Sequence, residues 1–320
     1  MLPAFLVTIL FAASAVSGSR VTRLMGGSEA NFWRLSLATF LLAIYAHTVG
    51  AGMSGAGFAT LFISGCVGFG LGDLALFQAY SRIGSRLTIL LVQCLASPFA
   101  ALTEWLWLDH AITPLEGVCG LTILAGVSLA LAPGHHLEIT KRQFYVGSTF
   151  GILAAMGQGL GAVLSRRAYD IIKANGGHID AMSAAYQRIL GGLLLCGIFV
   201  LFIKRRETAA ELGLGNKADL PQVNPERWRK GWPLLFANAL AGPTLGVSCY
   251  QWALLNHGTG VVLPIAALTP IVIIPLSYKF EGERPTKRSL IGSAIAVAGA
   301  VALTIVVELN KPKGLLDPTK

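Results

Sequence analysis

Asn31–Tyr45 reads NFWRLSLATFLLAIY, and Ala185–Phe199 reads AYQRILGGLLLCGIF. Laid over one another they place Arg34 on Arg188, Phe32 on Tyr186 and Leu41 on Leu195. The correspondence continues downstream. Gly72, Ala79 and Gly84 fall on Gly246, Ala253 and Gly258 at an offset of 174, then Pro98 and Gly120 on Pro270 and Gly292 at 172. A two-residue deletion accounts for the slip. The chain therefore reads as one unit written twice, the sign of a repeat architecture.

Working outward from this pair, the composition says what the unit is made for. Of 320 residues, 54% are hydrophobic and 13% charged, with a mean hydropathy of +0.64. A soluble domain carries about 25% charge. Apolar runs of about 20 residues, the length that crosses a bilayer core, recur over 2–19, 29–49, 58–80, 87–108, 115–132, 145–167, 182–203, 232–254, 259–279 and 289–308. A soluble enzyme, a disordered chain and a nucleic-acid binder are excluded. The formal charge of +9 sits in short clusters between the apolar runs, where Lys and Arg meet lipid head groups and set topology. Cys66, Cys94, Cys119, Cys196 and Cys249 all lie inside apolar runs, as small buried residues rather than a disulfide framework.

The expected fold is all-α: a polytopic membrane protein of ten transmembrane helices in two five-helix repeats, over 1–135 and 145–308, with a polar tail over 309–320. Five is odd, so a second unit that starts where the first ends crosses in the opposite sense. Such inverted repeats supply two nearly equivalent conformations facing opposite sides, the basis of alternating access. Lys204–Gly231 is too polar for lipid and reads as a solvated loop, with a short surface helix over 207–214.

Pro98–Leu131 (PFAALTEWLWLDHAITPLEGVCGLTILAGVSLAL) and Pro270–Leu303 (PIVIIPLSYKFEGERPTKRSLIGSAIAVAGAVAL) resemble the signature stretch of EamA-type members of the drug/metabolite transporter superfamily. There a proline is followed about thirteen residues later by a glutamate and then by a Gly-rich helix. Pro270, Glu283, Gly292 and Gly299 carry that pattern in the second half, and Pro98, Gly120 and Gly126 in the first, where Ala111 stands at the acidic position. The resemblance implies a secondary transporter of small organic metabolites, commonly an exporter, in the plasma (inner) membrane, with a small-molecule substrate, no cofactor and no enzymatic activity.

Ionisable groups inside apolar runs mark the candidate site, since a charge at the bilayer centre costs about 2.5–3.5 kcal/mol even on insertion scales. Asp73 is the deepest and suits a cationic substrate group or a coupling proton. Arg34 and Arg188, related by the repeat and expected towards opposite faces, suit an anionic substrate or snorkel to head groups. Tyr186 and the uncharged Gln78, Gln158 and Gln251 complete the substrate-binding candidates. Gly70-Leu71-Gly72-Asp73 also spells the GxGD of intramembrane aspartyl proteases, with Tyr169-Asp170 as a YD pair, but Asp170 falls at the polar end of its span beside Arg166 and Arg167. His135, His136 and Glu138 form a loop cluster too sparse for a metal site. No phosphate-binding G-x-x-x-x-G-K-[ST] occurs. The third class of reading, a structural or sensory membrane protein, needs no central cavity.

Charge and family habit oppose one another on orientation. Termini in the cytoplasm, common in such transporters, leave six Lys and Arg on that side and seventeen outside. The positive-inside rule favours the reverse, so both termini are expected outside. A reporter active only in the cytoplasm, fused after Lys320, is expected to be silent; strong activity would show that family habit wins.

Overall fold

The computed structural model describes residues 2–108, 113–131, 140–211, 226–256, 262, 265–282 and 284–309. Their regular structure is helical, joined by short turns, and no strand occurs among them. We label α1 Leu2–Met25 and α2 Gly27–Thr48. The third rod, α3, begins as Phe58–Gly65, widens into a π-helical stretch over Cys66–Gly72, and resumes at Asp73. It ends at Gly84, whose φ of 74° and ψ of 176° turn the chain into α4, which closes at Leu108. Then follow α5 Pro114–Leu131, α6 Lys141–Ala174 and α7 Ala181–Glu211. The rod α8 runs as Arg227–Ala239, a second π-helical stretch over Leu240–Gly246, and Val247–Asn256. Last come α9 Thr269–Glu281 and α10 Lys287–Leu309.

Four runs are long and apolar enough to cross a membrane by length and composition: Phe5–Met25, Phe58–Trp107, Lys141–Ala174 and Ala181–Glu207. The polar and apolar residues are distributed as in a protein dissolved in lipid. Ser64, Ser85, Thr88, Ser165, Asn238 and Gln251 are fully buried, while Phe40, Leu106, Leu124 and Leu201 face outward. Lipid tails are as apolar as leucine, so helices associate through close packing and interhelical hydrogen bonds rather than by expelling water.

The two π-helical stretches occupy the same place in the repeat, since Cys66–Gly72 shifted by 174 is Leu240–Gly246. Glycines crowd the first, and Pro243, which has no N–H to donate, interrupts the second. π-bulges are frequent at functional sites. The packing is interleaved. α3 and its π stretch lie against α6 and α7, while α8 and its π stretch lie against α1 and α2. Each half thus wraps the third helix of the other.

α5 packs on α10 through a reciprocal small-residue contact. A Cβ on Gly126 would lie 2.8 Å from Ala296 Cα and from Gly292 O, and one on Gly292 would lie 2.7 Å from Gly126 O and 2.8 Å from Ala130 Cα. Both contacts are with backbone, which cannot swing aside.

Local details depart from the sequence expectation. α6 starts at a capping box rather than at 145: Thr140 Oγ1 accepts from Gln143 N at 3.2 Å, and Thr140 N donates to Gln143 Oε1 at 3.0 Å. Residues 207–211 extend α7 instead of forming a separate surface helix, helped by the Lys204–Glu207 pair one turn apart (2.7 Å). The far end of the polar connection is anchored, with Arg227 3.2 Å from Glu29 and the Trp228 ring edge-on to Trp33. Glu283, Ala111, His135, His136 and Glu138 lie outside the described residues.

Replacing Gly292 by Leu is expected to overfill the α5–α10 contact and lower stability in detergent by about 1–3 kcal/mol. Unchanged thermal melting of the purified variant would show that these helices do not meet there.

Candidate substrate cavity

The π stretch of α3 delivers Asp73 to the interior. Its carboxylate is held by Arg34 from α2 through a charge-assisted hydrogen bond. Arg34 also lies over the Phe77 ring, 4.8 Å from its centroid. The side chains are 14% and 6% exposed, so the pair is shielded from solvent. Asp73 is therefore the counter-ion of a buried arginine, not a free carboxylate awaiting a cationic ligand.

On its other side Asp73 lines a small cavity of about 70 Å³ that is partly open to the outside. The wall includes Arg188 from α7, Gln158 from α6, Tyr250 from α8, Phe69 from α3 and Phe11 from α1. Both repeats contribute.

Arg188 reaches the cavity through a slot made by missing side chains. A Cβ on Gly68 or on Gly161 would lie 3.3 Å from its Nη2. Its guanidinium lies 5.2 Å from the centroid of the Phe69 ring. Arg34 repeats the geometry in the other half, since a Cβ on Gly242, the repeat equivalent of Gly68, would lie 3.4 Å from its Nη1. The symmetry breaks at the acid. The equivalent of Asp73 is Val247, which also lines the cavity. Two buried guanidinium groups thus lie around one carboxylate, which bonds to Arg34 alone, and instead of pointing to opposite ends of the molecule both come to the surroundings of Asp73.

The remaining sequence candidates separate. Gln158 stays in the wall, its Nε2 donating to Gln93 Oε1 at 2.9 Å. Gln251 lies beside the wall residue Tyr250 and accepts from Tyr169 Oη at 2.5 Å, with its Nε2 unpartnered. Tyr186 lies outside the cavity wall, 3.0 Å from His47 Nε2, and clasps α2 to α7. Neighbouring Gln187 donates to the carbonyls of Gly52 and Ser54, both at 3.0 Å, pinning the turn before α3. Gln78 serves its own helix, accepting from Arg82 Nη1 at 2.7 Å on both its backbone and side-chain oxygens. Tyr250, Phe69 and Phe11 escaped the sequence reading because an aromatic residue in an apolar run carries no signal that separates a cavity wall from a core.

The protease reading fails on this geometry. Among the described residues the charged groups around Asp73 are two arginines, and Asp170 is exposed on α6.

Removing one partner of a buried ion pair strands the other, at a cost of about 3–5 kcal/mol. Arg34→Gln and Asp73→Asn are each expected to lower stability in detergent on that scale, and the double variant by less than the sum of the two. Additive losses in a melting-based double-mutant cycle would show that the pair is not coupled.

The model of the EamA-like transporter family matches the sequence twice, over residues 1–132 and 146–305. A solved crystal structure superposes on 97% of this chain and 98% of its own with a TM-score of 0.63 at 14% identity, a likeness of fold. A search of curated proteins finds no match.

Proposed function

The chain belongs to the EamA-like transporter family, and from that premise we propose that it carries a small organic solute across the membrane by alternating access through the cavity at Asp73, in the export direction. It is an integral, multi-pass membrane protein. What carries the reading is that buried charged and polar side chains from both repeats meet in one cavity. A bundle that served only as scaffold or anchor has no use for an ionised side chain at such a depth, given its insertion cost. We place the protein in the plasma (inner) membrane, with the remaining helical rods crossing the bilayer beside the four apolar runs and the two halves crossing in opposite senses.

The π stretches suit a carrier mechanically. Each interrupts a helix packed against the opposite repeat. A local change of helical pitch there shifts Asp73 and Val247, which cap the two stretches, against Arg34 and Arg188. Interconversion of two such states alternately exposes the cavity. The Arg34–Asp73 pair holds one arrangement, and a proton taken up by Asp73 is a candidate coupling event.

The test follows from the cavity wall. Ala154 in α6 lines it and is buried. Protein reconstituted in liposomes, assayed with a metabolite panel with and without a pH gradient, is expected to show saturable flux of at least one solute. Ala154→Trp should abolish that flux while leaving membrane insertion intact. Undiminished flux in the Trp variant would remove the cavity from the transport path.

A further inference from the structure

Arg188 is 6% exposed, and no hydrogen bond or ion pair to its guanidinium occurs among the described residues. Its Nε is buried without a partner. Beside it in the cavity wall stands Tyr250, 5% exposed, whose hydroxyl is likewise buried and unpartnered. A buried charge left alone is expensive, and so is a buried donor. Asp73 attracts Arg188 only through space, because Arg34 already holds its carboxylate directly. At Val247, where symmetry would put a second acid, there is none. The cavity therefore has one cationic charge in excess, facing its free space, with a phenol beside it.

We propose that the cargo balances this charge: the transported solute carries an oxyanion, a carboxylate or a phosphate, that binds Arg188 and accepts a hydrogen bond from Tyr250. The assignment rests on the carrier reading and adds the substrate class. A guanidinium presents a planar fork of donors that matches a two-oxygen anion bidentately, which a lysine cannot do. The Gly68–Gly161 slot holds that fork in place, and the Phe69 face steadies it from one side. Phe11, 6.1 Å from Tyr250 between ring centroids, gives the rest of the solute an apolar wall. Arg34, with the same glycine geometry, is already neutralised by Asp73. The unlike fate of two repeat-related arginines marks Arg188 as the binding one.

The test compares small solutes differing mainly in charge, all offered to reconstituted protein: lactate, glycerol 3-phosphate, glycerol and propylamine. Lactate or glycerol 3-phosphate is expected to enter at least tenfold faster than glycerol or propylamine, and whichever of the two prevails distinguishes carboxylate from phosphate. Arg188→Gln should remove the anion flux and Arg188→Lys restore little of it. Tyr250→Phe, which changes no charge and hardly any volume, should weaken apparent affinity severalfold with unaltered melting. In detergent, phosphate or acetate should raise the melting temperature of the wild type above that in chloride at equal ionic strength, and not that of Arg188→Gln. Glycerol or propylamine flux that survives Arg188→Gln overturns the oxyanion assignment and leaves the carrier reading standing. Absence of any anion-specific flux together with absence of an anion-specific thermal shift also overturns it. The carrier reading falls separately, if no solute of the wider panel moves.

Discussion

Two buried arginines lie beside a single carboxylate, and the interior is arranged around that shortage. Asp73 neutralises Arg34, and Arg188 is left facing a cavity. In an apolar medium with few screening ions an unequal count of charges cannot be ignored, because each unpaired charge costs several kcal/mol. The repeat makes the inequality visible. Both arginines occupy the same position in their halves and both pass a glycine at the same position of the third helix, but only one reaches an acid.

Glycine makes this arrangement geometrically possible. Large side chains at Gly68, Gly161 or Gly242 would fill the space the two guanidinium groups now use. At Gly72 and Gly157 the backbones of α3 and α6 touch directly, with a Cβ on Gly157 falling 2.7 Å from Gly72 Cα. This contact sits at the exit of the first π stretch, next to Asp73. Close packing, a widened helix and a buried acid are thus adjacent in the sequence because each needs the others. A residue with a side chain at position 157 would push the two backbones apart beside the acid.

The repeat, the all-helical class and the membrane character were legible because they are periodic. Apolar runs, paired arginines and paired glycines recur over tens of residues and survive local noise. Asp73, Arg188 and Gln158 could be picked out as polar residues where polarity is costly, and the structure brings all three to one cavity. The same criterion misplaced Tyr186 and Gln78, whose polar groups are spent on His47 and Arg82. A sequence shows the cost of burying a polar group but not which neighbour meets it. The π stretches were illegible for a related reason: the glycines that permit them also occur at ordinary helix contacts, as at Gly126 and Gly292. The capping box at Thr140 was readable in principle, since Thr-x-x-Gln precedes a long helix, but charged Lys141 and Arg142 masked it in a search for apolar runs.

Arg188 has no ion-pair partner among the described residues, and an anionic ligand is expected to bind it. Anomalous difference maps from crystals soaked with arsenate or bromoacetate measure this directly. The account predicts a peak within hydrogen-bond reach of the Arg188 guanidinium and the Tyr250 hydroxyl, with Arg34 still on Asp73. An Arg188 found paired with a carboxylate of the chain itself, and no peak beside it, would contradict the account.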